Sequence, residues 1–450
     1  MIRKLRGSAT SGAGVSDEPM STTGTSSMVE RIWFNAPAAA RQAMTSTTLV
    51  VSSRRCDQDR WARRGRERGT DAERTSGACD DGGTAPYTRL LVTAHPASTA
   101  APIATSEPLA VVGGRLCTGL MEVTSDLAAL DSTGFWAVVL PFEGPPICAR
   151  FAEVRPARSW PGARWQGPHP DRWSSSLDHQ SFVAGVTSIR EQIAAGDVYQ
   201  VNLTRRLRAP LPAVDANRSV DIAALGAALA AGNPAPFSAV VRLPAHDVAV
   251  ASASPERFLS RDGRTIRSSP IKGTAATRDG FLAKDDAENV MIVDLVRNDL
   301  GRVCTWGSVS VPSLLSVEAH PGLFHLVSTV EGELRPGAGW AEAIAATFPP
   351  GSVTGAPKLA ALRSIAALEP EPRGLYCGAI GWVDADAVRG DLNVAIRTFW
   401  IEDGELNFGT GGGITYDSDP DGEWAETELK AEHLLRVAAG TQADPVGADR

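Results

Sequence analysis

Residues 378–418 read GAIGWVDADAVRGDLNVAIRTFWIEDGELNFGTGGGITYDS, and the reading of this stretch decides the fold class. Short runs rich in Val, Ile, Trp and Phe are separated by turn-forming clusters at DADA (384–387) and EDGE (402–405). Runs of this length and composition are strands, and turns this short join neighbours that run antiparallel. Leu392, Val394 and Ile396 alternate, which puts them on one face and Asn393 and Arg397 on the other.

Working outward, the same style recurs. LAVVGGRLCTGL (109–120), FWAVVLPF (135–142), ICARFAEV (147–154), VYQVNLTRRL (198–207), FSAVVRL (237–243) and DVAVASAS (247–254) are further short strands. Helical spacing takes over in DHQSFVAGVTSIREQIAAGD (178–197), where Phe182, Val186, Ile189 and Ile193 share a face and Gly196 supplies the stop. KLAALRSIAALE (358–369), DDAENVMIVDLVRNDLG (285–301) and DGEWAETELKAEHLL (421–435) are three more helices. The expected architecture is α+β: a large antiparallel β-sandwich core with helices packed outside.

Residues 1–90 are different. MIRKLRGSATSGAG (1–14) and RWARRGRERGTDAERTSGACDDGG (60–83) hold too little apolar surface to offset the entropy of ordering them. Apart from a short helical stretch near 28–45, they are expected to be a disordered extension or the product of a start codon placed too far upstream. Scattered acidic residues argue against a transit peptide. Residues 105–175 then form a short N-terminal part of the sheet, ending in a Pro- and Trp-rich connection at 156–177. Residues 178–437 form the principal domain, and 438–450 a tail.

Composition excludes several function classes. The 450 residues carry a net charge of −8, which argues against nucleic-acid binding. Six cysteines lie scattered with no C-x-x-C pair, so a zinc site is not expected and free thiols are. No apolar run approaches the length of a membrane span, and the N-terminus lacks the core of a secretory signal. The expected location is cytoplasmic.

Several polar positions stand out. Glu288 lies one turn before Ile292, on the side that Ile292 and Leu295 turn inward. Glu423, Glu426 and Lys430 share one face of the last helix. The two helices either clamp one hard divalent cation, magnesium, between inward glutamates or carry ordinary solvated ion pairs. Glu256 in ASASPERFL (251–259) is a general acid or a carboxylate at a strand end. Lys272 in SSPIKGTAATR (268–278) is a solvated loop residue or an amine placed to react. The glycines of FGTGGGITYDS (408–418) permit close backbone approach to an anion, although such runs are also common in loops. GSVTGAPK (351–358) fails the P-loop spacing, and its Lys358 follows proline instead of glycine, so nucleoside triphosphate binding is rejected. His325, in GLFHLVST, is by itself an ordinary strand histidine.

Taken together, GDVYQVNLTRRL, SPERFL, PIKGTAATR, ENVMIVDLVRNDLGRV, FHLVSTVEG, FPPGSVTGAPK, RGLYCGAIGW, LNVAIRTF, FGTGGGITYDSDP and EWAETELKAEHLL resemble the chorismate-utilising enzyme family. They keep the family's order over roughly residues 180–435. The resemblance implies the anthranilate synthase component I-like fold, with chorismate as substrate and Mg2+ as cofactor. It places Glu288 and Glu426 at the metal-binding glutamates, with Glu423 as a helper. Tyr376 and Arg397 match positions that grip the enolpyruvyl carboxylate; Gly411 and Gly413 add backbone amides, and Lys430 adds charge near the metal. Gln200, Thr274, His325 and Thr354 fall at substrate-pocket positions. Glu256 matches the acid poised at the C4 hydroxyl.

Two positions sort the family by reaction. Members that add water carry a lysine base where this chain has Gln200, which disfavours isochorismate formation. Anthranilate synthases typically have alanine where this chain has Lys272, whereas aminodeoxychorismate synthases with PIKGT use the lysine as a covalent nucleophile. The resemblance therefore points to aminodeoxychorismate synthase component I, working with a glutamine amidotransferase that supplies ammonia. The alternatives are anthranilate synthase component I and a non-catalytic chorismate-binding protein. The last would be expected to lack Glu256 or a metal glutamate. Residues before 180 carry no convincing tryptophan-binding signature.

Overall fold

The computed structural model describes residues 106–158, 163–213, 218–275, 277–320 and 323–440. The expectations for residues 1–90, including the 28–45 helix, and for 441–450 lie outside the described residues.

Strand pairing runs in one antiparallel path. It begins at Ser310–His320, crosses Leu323–Glu333 to the hairpin Arg257–Asp262/Thr265–Ser269, and reaches Arg389–Val394 and Ala379–Asp384. From there it passes through Phe135–Leu140, Ile147–Pro156, Arg115–Thr124 and Leu109–Val112. It continues along Phe237–Leu243, Val248–Ser254, Thr398–Glu402 and Glu405–Ile414, and ends on Gln200–Pro210. Residues 109–156 thus sit in the middle of the same sheet as the C-terminal strands. The path folds over a large core that includes Trp136, Phe142, Phe182, Trp340 and Ile380. A second cluster, around Leu225, Phe399, Phe408 and Leu434, fills the space under two helices.

Among the described residues six helices cover the sheet: α1 (His179–Ala195), α2 (Ile222–Gly232), α3 (Ala283–Gly301), α4 (Trp340–Thr347), α5 (Lys358–Leu368) and α6 (Pro420–Ala438). Helix α1 starts where the Asp178 carboxylate accepts from Ser181 N–H at 2.8 Å and stops at Gly196, whose φ of 84° suits glycine. Helix α6 starts likewise, with Asp419 capping Gly422 and Pro420 in the first turn. Helices α2 and α4 were not expected. Helix α2 is apolar nearly all round, so it offers little amphipathic contrast, and only the Asp221 cap marks its start. The connection through 156–177 is anchored: Trp165 Nε1 donates to the Ala438 carbonyl at 2.6 Å, at the end of α6. Among the described residues no helix is long and apolar enough to cross a membrane. Cys117, Cys148, Cys304 and Cys377 are buried free thiols.

The alternation expected over 392–397 does not hold. The strand ends at Val394, the Ile396 N–H turns back to the Val394 carbonyl at 2.7 Å, and Arg397 takes a φ of 50°. Asn393, on the opposite face, is buried as well. It is 2% exposed, accepts from Ile380 N–H at 3.1 Å and donates to the Phe237 carbonyl at 2.7 Å. This strand is covered on both faces, so no polar side remains to alternate with.

Candidate active site

The hairpin Arg257–Asp262/Thr265–Ser269 sets Arg257 opposite Ser269 and returns the chain beside Glu256. Pro270 follows, then the strand Ile271–Ala275 that carries Lys272. Glu256 is 4% exposed, and its carboxylate accepts from the Ile271 backbone N–H and the Ser352 hydroxyl. Burial outweighs these bonds and the nearby Lys272 charge, and pushes the carboxyl up to about 7. The Lys272 ammonium lies 3.8 Å from Glu288 Oε2. Burial lowers its pKa, Glu288 and Glu256 oppose that, and Lys430 adds to it. A lysine in this position gives up its proton more readily than one in water.

Glycines on the Glu405–Ile414 strand let this group close up. A Cβ on Gly413 would lie 1.9 Å from Gln200 Nε2 and 3.0 Å from Lys272 Nζ. A Cβ on Gly412 would lie 2.9 Å from Glu423 Oε2, and the Gly411 carbonyl accepts from Lys430 Nζ at 3.0 Å. Gln200 is 1% exposed, and its Oε1 is a buried acceptor without a hydrogen bond among the described residues. A buried amide oxygen left this way is a ready place for a ligand donor.

Across the site, glutamates of α3 and α6 lie near enough to feel one another's charge. Burial raises Glu288, helped by Asp285 and Glu426 against Lys272 and Lys284. Burial also raises Glu423, which accepts from Ser418 Oγ at 2.6 Å and feels Glu426 and Glu288. For Glu426 burial is outweighed by Lys430, 2.7 Å away, and the carboxyl stays below its ordinary range. Among the described residues these carboxylates do not close into a group of three at metal-ligand spacing. Magnesium needs less than that, since it keeps several waters and takes only one or two carboxylates from the protein. Mutually repelling glutamates, two of them with raised pKa values, form a donor set that suits a hard divalent cation.

Tyr376 and Arg397 sit on chain segments that run side by side, joined by Cys377 N–H to Ala395 O at 3.0 Å and Ala395 N–H to Gly378 O at 2.8 Å. The Tyr376 ring packs flat on Gly409, where a Cβ would lie 2.0 Å from Cγ, and burial holds its phenol well above the ordinary range. Arg397 is half-buried, and its guanidinium has no ion pair or hydrogen bond among the described residues. Burial alone lowers its pKa, with no carboxylate opposing it. That is a cation prepared for an anion from outside the chain.

In backbone register, Thr274 and Glu318 are the strand partners of His325, which is 1% exposed. Thr354 is fully buried, but its hydroxyl hydrogen goes to the Pro350 carbonyl at 3.0 Å. Only a lone pair of that oxygen remains for a ligand. Sequence reasoning missed Ser352 and Ser418, the hydroxyls that orient Glu256 and Glu423. Each is a small residue in a turn, with no pattern to single it out.

The chorismate binding enzyme family matches residues 161–436, more than half of the chain. The chain belongs to that family. It is 40% identical over 283 residues to anthranilate synthase component 1 of Streptomyces coelicolor, covering 60% of this chain and 54% of that protein. It is 37% identical over 301 residues to aminodeoxychorismate synthase component 1 of Escherichia coli, covering 63% and 64%. The chain thus spans between about half and two thirds of the length of these relatives. Among solved structures it resembles anthranilate synthase component I of Streptococcus pneumoniae, with a TM-score of 0.59 and 23% identity over 78% of this chain and 95% of that one. The menaquinone-specific isochorismate synthase of Escherichia coli gives a TM-score of 0.60 and 19% identity over 74% and 89%. The shared fold of this chorismate-binding enzyme is the expected α+β architecture, and its sequence relatives divide between anthranilate synthases and aminodeoxychorismate synthases.

Proposed function

We propose that this chain is the chorismate-aminating component of an aminodeoxychorismate synthase. It would convert chorismate and ammonia to 4-amino-4-deoxychorismate, with the ammonia delivered by a partner glutamine amidotransferase. The observation that carries the reading is Lys272, a buried amine between Glu288, Glu256 and the Gln200–Gly413 wall. The resemblance to PIKGT-bearing aminodeoxychorismate synthases gives that amine its role. Identity to relatives of 40% and 37% does not separate the two aminations, and the support for this one is an amine where anthranilate synthases typically carry a methyl group.

Lys272 Nζ, neutral, attacks C2 of chorismate while Glu256 gives its proton to the C4 oxygen, which leaves as water. Ammonia then bonds to C4, the ring double bond returns, and the C2–N bond to Lys272 breaks. Arg397 with Tyr376 holds the enolpyruvyl carboxylate. Glu288 and Glu426, with Glu423 beside them, would hold Mg2+, which supplies charge for the ring carboxylate. The Gly411–Gly413 backbone lies along that end.

The test is incubation of purified protein with chorismate, Mg2+ and ammonium, with and without added aminodeoxychorismate lyase. p-Aminobenzoate is expected only with the lyase, and Lys272→Ala is expected to abolish it. Anthranilate as the product, or full p-aminobenzoate formation by Lys272→Ala, would refute the reading.

A further inference from the structure

Against Glu256 lies a small cavity of about 20 Å³ that Lys272 does not line. Glu256, Arg257, Ser268, Asp299, Thr347 and Ser352 are its polar lining, and Val296 and Phe258 are among the apolar residues around them. That volume admits one water, and such a water has enough polar neighbours to hold it. Asp299 at the far end is 4% exposed and accepts from Lys358 Nζ, which also donates to the Thr347 carbonyl at 2.8 Å. The Lys358 side chain is 12% exposed, so this pair connects the cavity to the outside. Lys358 is the lysine of GSVTGAPK, the segment that fails the P-loop spacing.

The proposed amination leaves a proton deficit at this carboxylate. Glu256 loses its proton to the departing hydroxyl, and the amine formed at C4 leaves as an ammonium. Each turnover therefore ends with Glu256 one proton short. With chorismate over Lys272, the open side of the carboxyl is covered.

Resting on that function, we propose that Asp299 and Lys358 reload Glu256 through a water in this cavity, as a proton relay entering from the back of the site. The water gives a proton to the Glu256 carboxylate and takes one from the Asp299–Lys358 pair, and Lys358 regains it from solvent. No other bond changes. Charged groups facing the relay are few. Lys272 faces Glu256, Arg302 adds its field at Asp299, and Arg257 on the cavity wall is tied to Asp391 by two bonds of 2.9 Å. The raised pKa of Asp299 and the lowered pKa of Lys358, both caused mainly by burial, bring the pair closer to sharing a proton.

The experiment compares the wild type with the double variant Asp299→Asn/Lys358→Met, which removes both charges together. A second variant, Val296→Ile, fills the cavity and leaves the pair intact. Rapid-quench kinetics with chorismate and ammonium should show a burst near one product per site, then a steady rate reduced about tenfold with an enlarged solvent deuterium isotope effect. A purely structural defect would lower burst and steady rate by the same factor. That result, or wild-type kinetics in both variants, overturns the relay. If the wild type makes no aminodeoxychorismate, the function reading falls separately. The relay is then judged by hydrogen–deuterium exchange at the Glu256 carboxyl infrared band, assigned with Glu256→Gln. Slower exchange in the variants supports it and unchanged exchange overturns it.

Discussion

Replacing Glu256 by glutamine separates the energetic cost of this carboxylate from its chemistry. Its pKa in the folded chain is about 7 against an ordinary 4.5, and burial is the chief cause. A raised carboxyl pKa contributes stability that is fully present below about pH 4.5 and is lost as pH rises through about 7. Each unit is worth about 1.4 kcal/mol, so the ionised side chain costs the folded state about 3 kcal/mol at pH 8 relative to pH 4.5. Glutamine has nearly the same shape and no proton to lose. The stability difference between Glu256→Gln and the wild type should therefore move in the variant's favour by about 3 kcal/mol between pH 4.5 and pH 8. Urea unfolding of both proteins across that range measures it, because every other titrating group cancels in the difference. A difference that stays flat with pH would refute the burial argument for this carboxyl. Under the proposed function the same variant should lose roughly 10²- to 10⁴-fold in kcat, since an amide cannot donate a proton to a leaving hydroxyl in this way.

Arg397→Gln should raise KM for chorismate roughly 30-fold, about 2 kcal/mol, with kcat little changed, because the lost bond is one the substrate makes in both ground and transition states. A fall in kcat at constant KM would contradict that assignment. Gly413→Ala should cut activity sharply, since its Cβ would lie 1.9 Å from Gln200 Nε2. Gln200→Ala in the same chain should recover part of the loss, and strict additivity of the two changes would sink the steric explanation. Glu426→Gln should weaken Mg2+ binding in the presence of chorismate by roughly tenfold or more, read by titration calorimetry. Unaltered affinity would remove Glu426 from the cation's ligands.

Local chemistry accounts for what was legible from sequence. The hairpin at EDGE has Asp403 and Gly404 at φ values of 53° and 76°, a turn that those two residue types specify by themselves. Helix α1 announces its start with Asp178 and its end with Gly196, and both signals lie within a few residues of the helix they bound. What remained hidden depends on segments distant in sequence. Nothing in LNVAIR tells that Asn393 will meet the Phe237 carbonyl, and alternation places it only on the face opposite Leu392 and Val394. Glu256 and any strand-end glutamate look alike until the Pro270–Ile271 segment and the Gly351–Val353 turn close over it from opposite sides. The two lysines show the same limit from different directions. Sequence context nominated Lys272 for chemistry, and the structure adds that burial lowers its pKa. For Lys358, spacing could say only that it is not the lysine of a P-loop. Its place beside Asp299, at the back of a water-sized cavity that ends on Glu256, exists only once α3, α5 and the Thr347–Ser352 turn have packed together. Motifs name residues that meet a ligand through nearby chain, whereas residues that reach the ligand through another side chain become visible only in three dimensions.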